Sequence, residues 1–280
     1  MTAPKLESTT KVPSSLTQTI IITKYTLLDY IRSRRFYILL AFTLLISVLL
    51  TAVAAYYPSD FRPDNLGFYG NWWGNTATFV VILSAVFFGG DAISGEFQNK
   101  TGYFGVPNPI RRSSIYVGKY LSAFIASTVI LAIFAGVTVG NGVFYFGSVP
   151  TQFVESLLFT WLYLIAALGF TFFFSSLFKN SSYSILVTAI VFLFVFNIVD
   201  LLVQRFAQIE PWFMITYGSG IIGNILTVPY PDHITTAETL RGVTRTLYNV
   251  TVPEGLAILS IYFFVTAIIG LLLFERKEFN

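Results

Sequence analysis

The chain has 280 residues, of which 55% are hydrophobic and only 11% charged, with a net charge of +3. A water-soluble domain of this length would carry about 25% charged residues, so a soluble enzyme or solvent-bathed binding module is excluded. Nucleic acid is not a partner this balance implies, because the charges fall beside apolar runs rather than on one face; the absence of cysteine removes disulfides and sulfur-ligated metals.

Residues 1–15 are polar and carry Pro4 and Pro13; they are expected to form a disordered tail. The remainder, 16–280, reads as one all-α membrane domain. From Leu16 to Arg35, Leu16, Ile20, Leu27 and Ile31 recur at helical spacing with Ile21 and Leu28 beside them, and Thr17, Lys24, Asp29, Arg32 and Arg34 occupy much of the rest. The pattern predicts an amphipathic helix lying along the membrane interface. A solvated extension of the first span is the alternative.

Apolar runs predict six spans, at about 36–57, 75–93, 114–140, 153–178, 183–203 and 255–274, each long enough for roughly 30 Å of hydrocarbon. Ala52-Val53-Ala54 looks like a signal cleavage site, but the polar region before the first run is too long for a signal peptide. The first span is therefore expected to be retained. With a cytoplasmic N-terminus, 13 Lys and Arg fall inside and four (Arg62, Arg205, Arg241, Arg245) outside. This bias places both termini in the cytoplasm and the protein in the plasma membrane. Trp212 to Val228 is short and interrupted by Gly218, Gly220 and Gly223, so it reads as a re-entrant or surface-lying outer element. Trp72, Trp73, Trp161 and Trp212 all fall near predicted outer ends, as in an aromatic belt.

The largest inner loop runs from Asp91 to Arg112. Ile93, Phe97, Thr101 and Phe104 share one helical face, Asp91 and Glu96 suit a helix start, and Pro107 and Pro109 end it. Ser94 and Lys100 lie within this short helix, and Arg111 and Arg112 turn the chain into the third span. A short helix tied rigidly to two spans suits a mechanical coupling element; an ordinary membrane-hugging loop is the competing reading.

Other signals are weak. Gly118-Lys119 lacks the glycine of a P-loop, so the chain should not hydrolyse ATP. His233 is the sole histidine and is expected at the surface rather than on a metal. Gly89-Gly90-Asp91 faintly suggests an intramembrane aspartyl protease, but the candidate partner Asp200 lies at the opposite side. Asn197 and Asp200 are polar candidates in the fifth span, with loop packing favoured over substrate contact for Asp200. Gly136 and Gly140 form a small-xxx-small pair, and Asn249-Val250-Thr251 is a glycosylation sequon.

Thr101-Gly102, Pro107-Asn108-Pro109-Ile110-Arg111-Arg112 and Gly118-Lys119 together resemble the signature after the second span of type-2 ABC permeases. Leu177-Phe178-Lys179-Asn180, Phe274-Glu275-Arg276-Lys277 and the stretch from Asp29 to Arg35 are similar to that family as well. Glu96 precedes Thr101-Gly102, whereas many members carry an acid after it. The resemblance implies that Leu16 to Arg35 is the interfacial connecting helix and that Ile93 to Phe104 is a coupling helix docking on a cytoplasmic ABC ATPase. It further implies an external re-entrant hairpin within Glu210 to Glu254, two ATPase subunits carrying ATP and Mg, and a second permease subunit, identical or homologous. No cofactor is expected on this chain itself. The resulting expectation is the permease subunit of an exporter of an unidentified, amphiphilic substrate. A secondary transporter, which should show mid-span acid pairs or broken-helix repeats, and a non-transporting assembly subunit are the alternatives.

Overall fold

The computed structural model describes residues 13–99, 110–238 and 244–277. Among them are six helices long and apolar enough to cross a membrane: Arg34–Tyr56, Asn65–Gln98, Arg112–Phe146, Thr151–Leu177, Ser181–Leu202 and Val252–Arg276. Each expected span falls on one of them, and several are longer than hydropathy alone suggested.

Helix α1 (Ser15–Arg32) starts where Ser14 accepts from the Thr17 N–H at 3.2 Å and stops at Ser33. Ser33 is extended, and its hydroxyl accepts from the Phe36 N–H, capping α2 (Arg34–Tyr56). The expected continuous helix to Arg35 is therefore broken, and Arg34 and Arg35 belong to the first span. Serine does this because its side chain satisfies an N–H that the helix start leaves without a partner.

The expected loop after the first span is instead helical. α3 (Pro58–Phe61) and α4 (Asn65–Tyr69) are followed by a wide turn, Gly70–Gly74, that runs directly into α5 (Asn75–Gly89). Trp72 and Trp73 are fully buried in this corner. Trp73 stacks on Phe134 at 5.5 Å and meets Phe153 edge-on at 5.1 Å. These two tryptophans are packing anchors, not members of an aromatic belt; Trp212, by contrast, is exposed.

α6 (Ser94–Gln98) precedes α7 (Arg112–Phe146) and α8 (Thr151–Leu177). The fifth span comprises α9 (Ser181–Ile190), a wide turn at Val191–Val195 and α10 (Phe196–Leu202). α13 (Val252–Arg276) is the last span and packs along α8. A Cβ on Gly270 would lie 3.1 Å from the Phe173 backbone, and one on Gly169 would lie 2.8 Å from the Thr266 hydroxyl. These glycines let the two helices approach closely, as small residues do where no water drives association. Gly136 and Gly140 have open space around them in this chain.

Several buried hydroxyls in the spans close on their own helices. Thr43 donates to Leu39 O at 2.8 Å, Ser47 to Thr43 O at 2.9 Å and Thr160 to Ser156 O at 2.7 Å. Such back-bonding satisfies the polar group internally.

Residues 214–226 pack largely against the bundle, while Trp212, Phe213 and Val228 at the ends of the stretch are exposed. α11 (Ile215–Ser219) and α12 (Ile221–Asn224) bury Met214, Ile215, Ile221 and Ile222, and Ser156 donates to Ile222 O at 2.6 Å. α11 packs against α8 and α13, and α12 against α8. Beyond α12 an antiparallel hairpin, β1 (Ile234–Glu238) and β2 (Thr244–Tyr248), pairs Ile234 with Tyr248. An all-helical expectation missed it, although Thr235, Thr236, Thr244 and Thr246 suit a strand.

Candidate coupling site

The start of α2, the ends of α5, α8 and α13, and the start of α7 meet at one end of the bundle, termed here the basic end. α6 sits among them. Its N-cap residue Ile93 and its first residue Ser94 are fully buried, and both backbone N–H groups donate to the Ser175 hydroxyl of α8, at 2.9 and 3.0 Å. A helix start without its own capping side chain thus borrows one from a neighbouring span. Gln98 at the other end accepts from the Ser181 N–H at 2.6 Å, where α9 begins. Ser184 of α9 donates to Gly90 O.

Charge reinforces this seating. Glu96 pairs with Lys119 of α7, and the same ammonium donates to Ala92 O at 2.8 Å. Arg35 of α2 pairs with Asp91 at 2.6 Å. Tyr30 of α1 donates to Phe88 O at 2.9 Å; burial, with Asp91 nearby, raises its phenol so that it stays protonated. A cleft of about 380 Å³ between α1 and α6 is lined by Asp29, Tyr30, Arg35, Asp91, Glu96 and Lys119 among others.

The end of α13 closes the far side. Phe97 meets Phe274 edge-on at 6.0 Å, and the Lys277 ammonium lies 4.5 Å from the Phe97 ring centre. Lys277 also donates to the carbonyls of Ser176, Leu177 and Phe178 at 3.0, 3.2 and 2.8 Å, satisfying the unpaired end of α8. Burial, with Lys179 nearby, pulls this ammonium down to about 8. Arg112 in turn donates to the carbonyls of Glu275 and Lys277, both at 2.8 Å.

α1 is bolted to α7. Arg111 N–H donates to the buried Gln18 side chain at 3.1 Å, Thr23 donates to Gly118 O at 3.2 Å, and Ser122 donates to Thr23 O at 2.9 Å. Leu16, Ile20 and Ile31 point outward with Ile21 and Leu28, while Leu27 packs inward against the core. Its small polar residues face protein and most of its apolar ones face out, the arrangement suited to a helix at a lipid interface.

Of the residues singled out from sequence, Ile93, Ser94, Glu96, Phe97, Arg35, Arg111 and Arg112 converge here, with Arg32 and Arg34 exposed beside them. Lys100, Thr101, Phe104, Pro107 and Pro109 lie outside the described residues. Asn197 and Asp200 do not join the site. Asn197 donates to Leu193 O at 2.9 Å and Asp200 accepts from Gln204 at 2.8 Å, both local contacts on the fifth span. Asp91 and Asp200 are not brought together, so no aspartyl pair forms. Gln18 and Ser175 were missed as site residues, and Lys277 was noted only as part of the stretch Phe274-Glu275-Arg276-Lys277.

No curated protein matches the chain significantly. The profile of the ABC-2 family transporter proteins matches residues 20–279, nearly the whole chain. The chain therefore has six span-length helices, with the clamped α6 at the end of the second, and belongs to the ABC-2 family of transporter proteins.

Proposed function

We propose that this chain is the permease subunit of an ATP-driven exporter, with α6 and the loop after it receiving force from a separate ABC ATPase. The observation that carries the reading is the attachment of α6. Ser175, Lys119, Lys277 and Ser181 tie it to spans four, three, six and five, so a push on α6 reaches four spans without slack. A segment that transmits a conformational change must be rigid and bistable rather than pliable.

On this reading the basic end faces the cytoplasm, the protein resides in the plasma membrane, and ATP and Mg bind the partner only. Two ATPase subunits and two permease chains make the complex. The fifth span is the least covered, with 11% of its most apolar stretch buried, followed by the first and sixth at 22% each, which supports lipid-facing or second-permease surfaces there. The sparse charge of the spans suits an amphiphilic substrate.

The test is co-expression with the ATPase subunit and measurement of its hydrolysis in the complex. Glu96→Arg and Phe97→Asp should each reduce permease-dependent stimulation by more than tenfold without dissociating the chain from lipid. Unchanged stimulation in both would remove the coupling role of α6.

A further inference from the structure

The end of the bundle opposite α6 gathers three ligand-type side chains from three separate segments. Glu210 follows the fifth span, His233 precedes β1, and Glu254 lies in the first turn of α13. One ligand atom from each lies within 4.8 Å of the others. The Nε2 atom of His233 is 3.4 Å from Glu210 Oε2, and its Nδ1 atom is 3.7 Å from Glu254 Oε2.

The proton on the imidazole is assigned by its other neighbour. Nδ1 is 3.0 Å from the Asn249 carbonyl oxygen, which can only accept, so Nδ1 carries the hydrogen. Nε2 faces a carboxylate oxygen, Glu210 Oε2, at 3.4 Å, and a cation between them, whether a metal ion or a second ring proton, satisfies both. A backbone carbonyl holding the far nitrogen is also how metal-ligating histidines have their tautomer and ring plane set.

The Glu210 and Glu254 side chains and the backbone at His233 are each fixed by independent contacts. Tyr217 donates to Glu210 Oε1 at 2.7 Å. Asn249 N–H donates to His233 O at 2.9 Å, and the Asn249 side chain donates to Asp232 O at 2.8 Å. Glu254 accepts from the Thr251 N–H and hydroxyl, both at 3.0 Å, as the capping box of α13. The frame is thus held without an ion, as a functional site requires.

We propose that Glu210, His233 and Glu254 form a binding site for a zinc-class divalent cation that clamps the ends of the fifth and sixth spans to the β hairpin. Two carboxylates and a neutral imidazole neutralise a divalent charge. One nitrogen with few oxygens favours zinc or its neighbours over magnesium and calcium, which take six or more oxygens. A tetrahedral ion with bonds of ~2.0–2.1 Å needs only a modest inward movement of these groups and keeps a fourth position for water. The proposal does not rest on ATP coupling.

The sequence makes the test clean, because His233 is the sole histidine and there is no cysteine. The full chain, purified without a polyhistidine tag, is placed in lipid nanodiscs, stripped with a chelator and titrated with Zn²⁺ and with Co²⁺. The expected result is one Zn²⁺ per chain, undisturbed by millimolar Mg²⁺ or Ca²⁺, and a four-coordinate visible spectrum with Co²⁺. Removing a ligand should weaken binding by at least the ~10–100-fold seen when a supporting partner is lost. This is expected both for His233→Ala and for Glu210→Gln, the latter leaving the α13 capping box intact. Equal, weak binding by the wild type and by either variant that keeps the wild-type melting temperature would overturn the site and leave His233 as a proton-sharing partner of Glu210.

Discussion

Lys119 of α7 reaches both α6 and the turn before it, pairing with the Glu96 carboxylate and donating to the Ala92 carbonyl at 2.8 Å. One ammonium thus bridges the third span to both the start and the middle of the segment between spans two and three. Lys119→Met removes both contacts and leaves Glu96 partly buried without this cation. A loss of about 1–3 kcal/mol in stability is expected, measured as a lower melting temperature in detergent. The exchanged pair Glu96→Lys with Lys119→Glu should recover part of it, and a double-mutant cycle measures the coupling.

Ser175 takes two backbone N–H groups at the start of α6. Ser175→Ala leaves both without a partner in a fully buried place, so a loss of about 1–3 kcal/mol is expected. Hydrogen exchange localises the effect: the amides of Ile93 and Ser94 should exchange faster while those in the middle of α8 keep their protection. Uniform acceleration throughout the bundle would argue against a local cap.

The glycines separate into two kinds. Gly270→Leu forces a side chain against the Phe173 backbone and should destabilise by about 1–3 kcal/mol or more, read as loss of a monodisperse species on size exclusion. Gly136→Ala and Gly140→Ala meet open space within the chain. They should leave the chain as stable or stabilise it by up to about 1 kcal/mol each, since alanine is the better helix former.

Lys277 supplies a pH dependence. Its ammonium is held down to about 8 by burial and by Lys179, against about 10.4 for an ordinary lysine. Between those values the unfolded chain holds a proton that the folded chain has released, so stability rises with pH through this window. Below pH 8 that contribution is absent. The melting temperature of the wild type should therefore rise relative to Lys277→Met between pH 7 and pH 9.5, and parallel profiles would contradict the assignment.

The sidedness of the bundle is open to direct labelling, since no native cysteine interferes. Asp60→Cys and Asn99→Cys are both exposed positions, at opposite ends of the second span and its approach. They should react with a membrane-impermeant maleimide from opposite sides, with Asn99→Cys on the cytoplasmic face. Ser94, an obvious choice from sequence, is unsuitable because it is fully buried.

Sequence by itself determined the parts that depend on composition along one segment. A run of apolar residues long enough to cross hydrocarbon declares a span, because each backbone polar group must be satisfied within the helix and each buried charge is expensive. The outward-facing residues Leu16, Ile20 and Ile31 of α1 were legible for the same reason, as a local period.

What tertiary structure alone decided are the places where distant segments satisfy one another. Ser33 is one serine among many until its extended backbone splits two helices. Trp72 and Trp73 look like interface anchors until Phe134 and Phe153 bury them. Ser175 caps a helix 81 residues away in sequence, and His233, unremarkable in a loop, comes to lie between Glu210 and Glu254. No local pattern encodes these contacts, because a hydrogen bond or ligand set is defined by position in space. Position follows from how the spans pack.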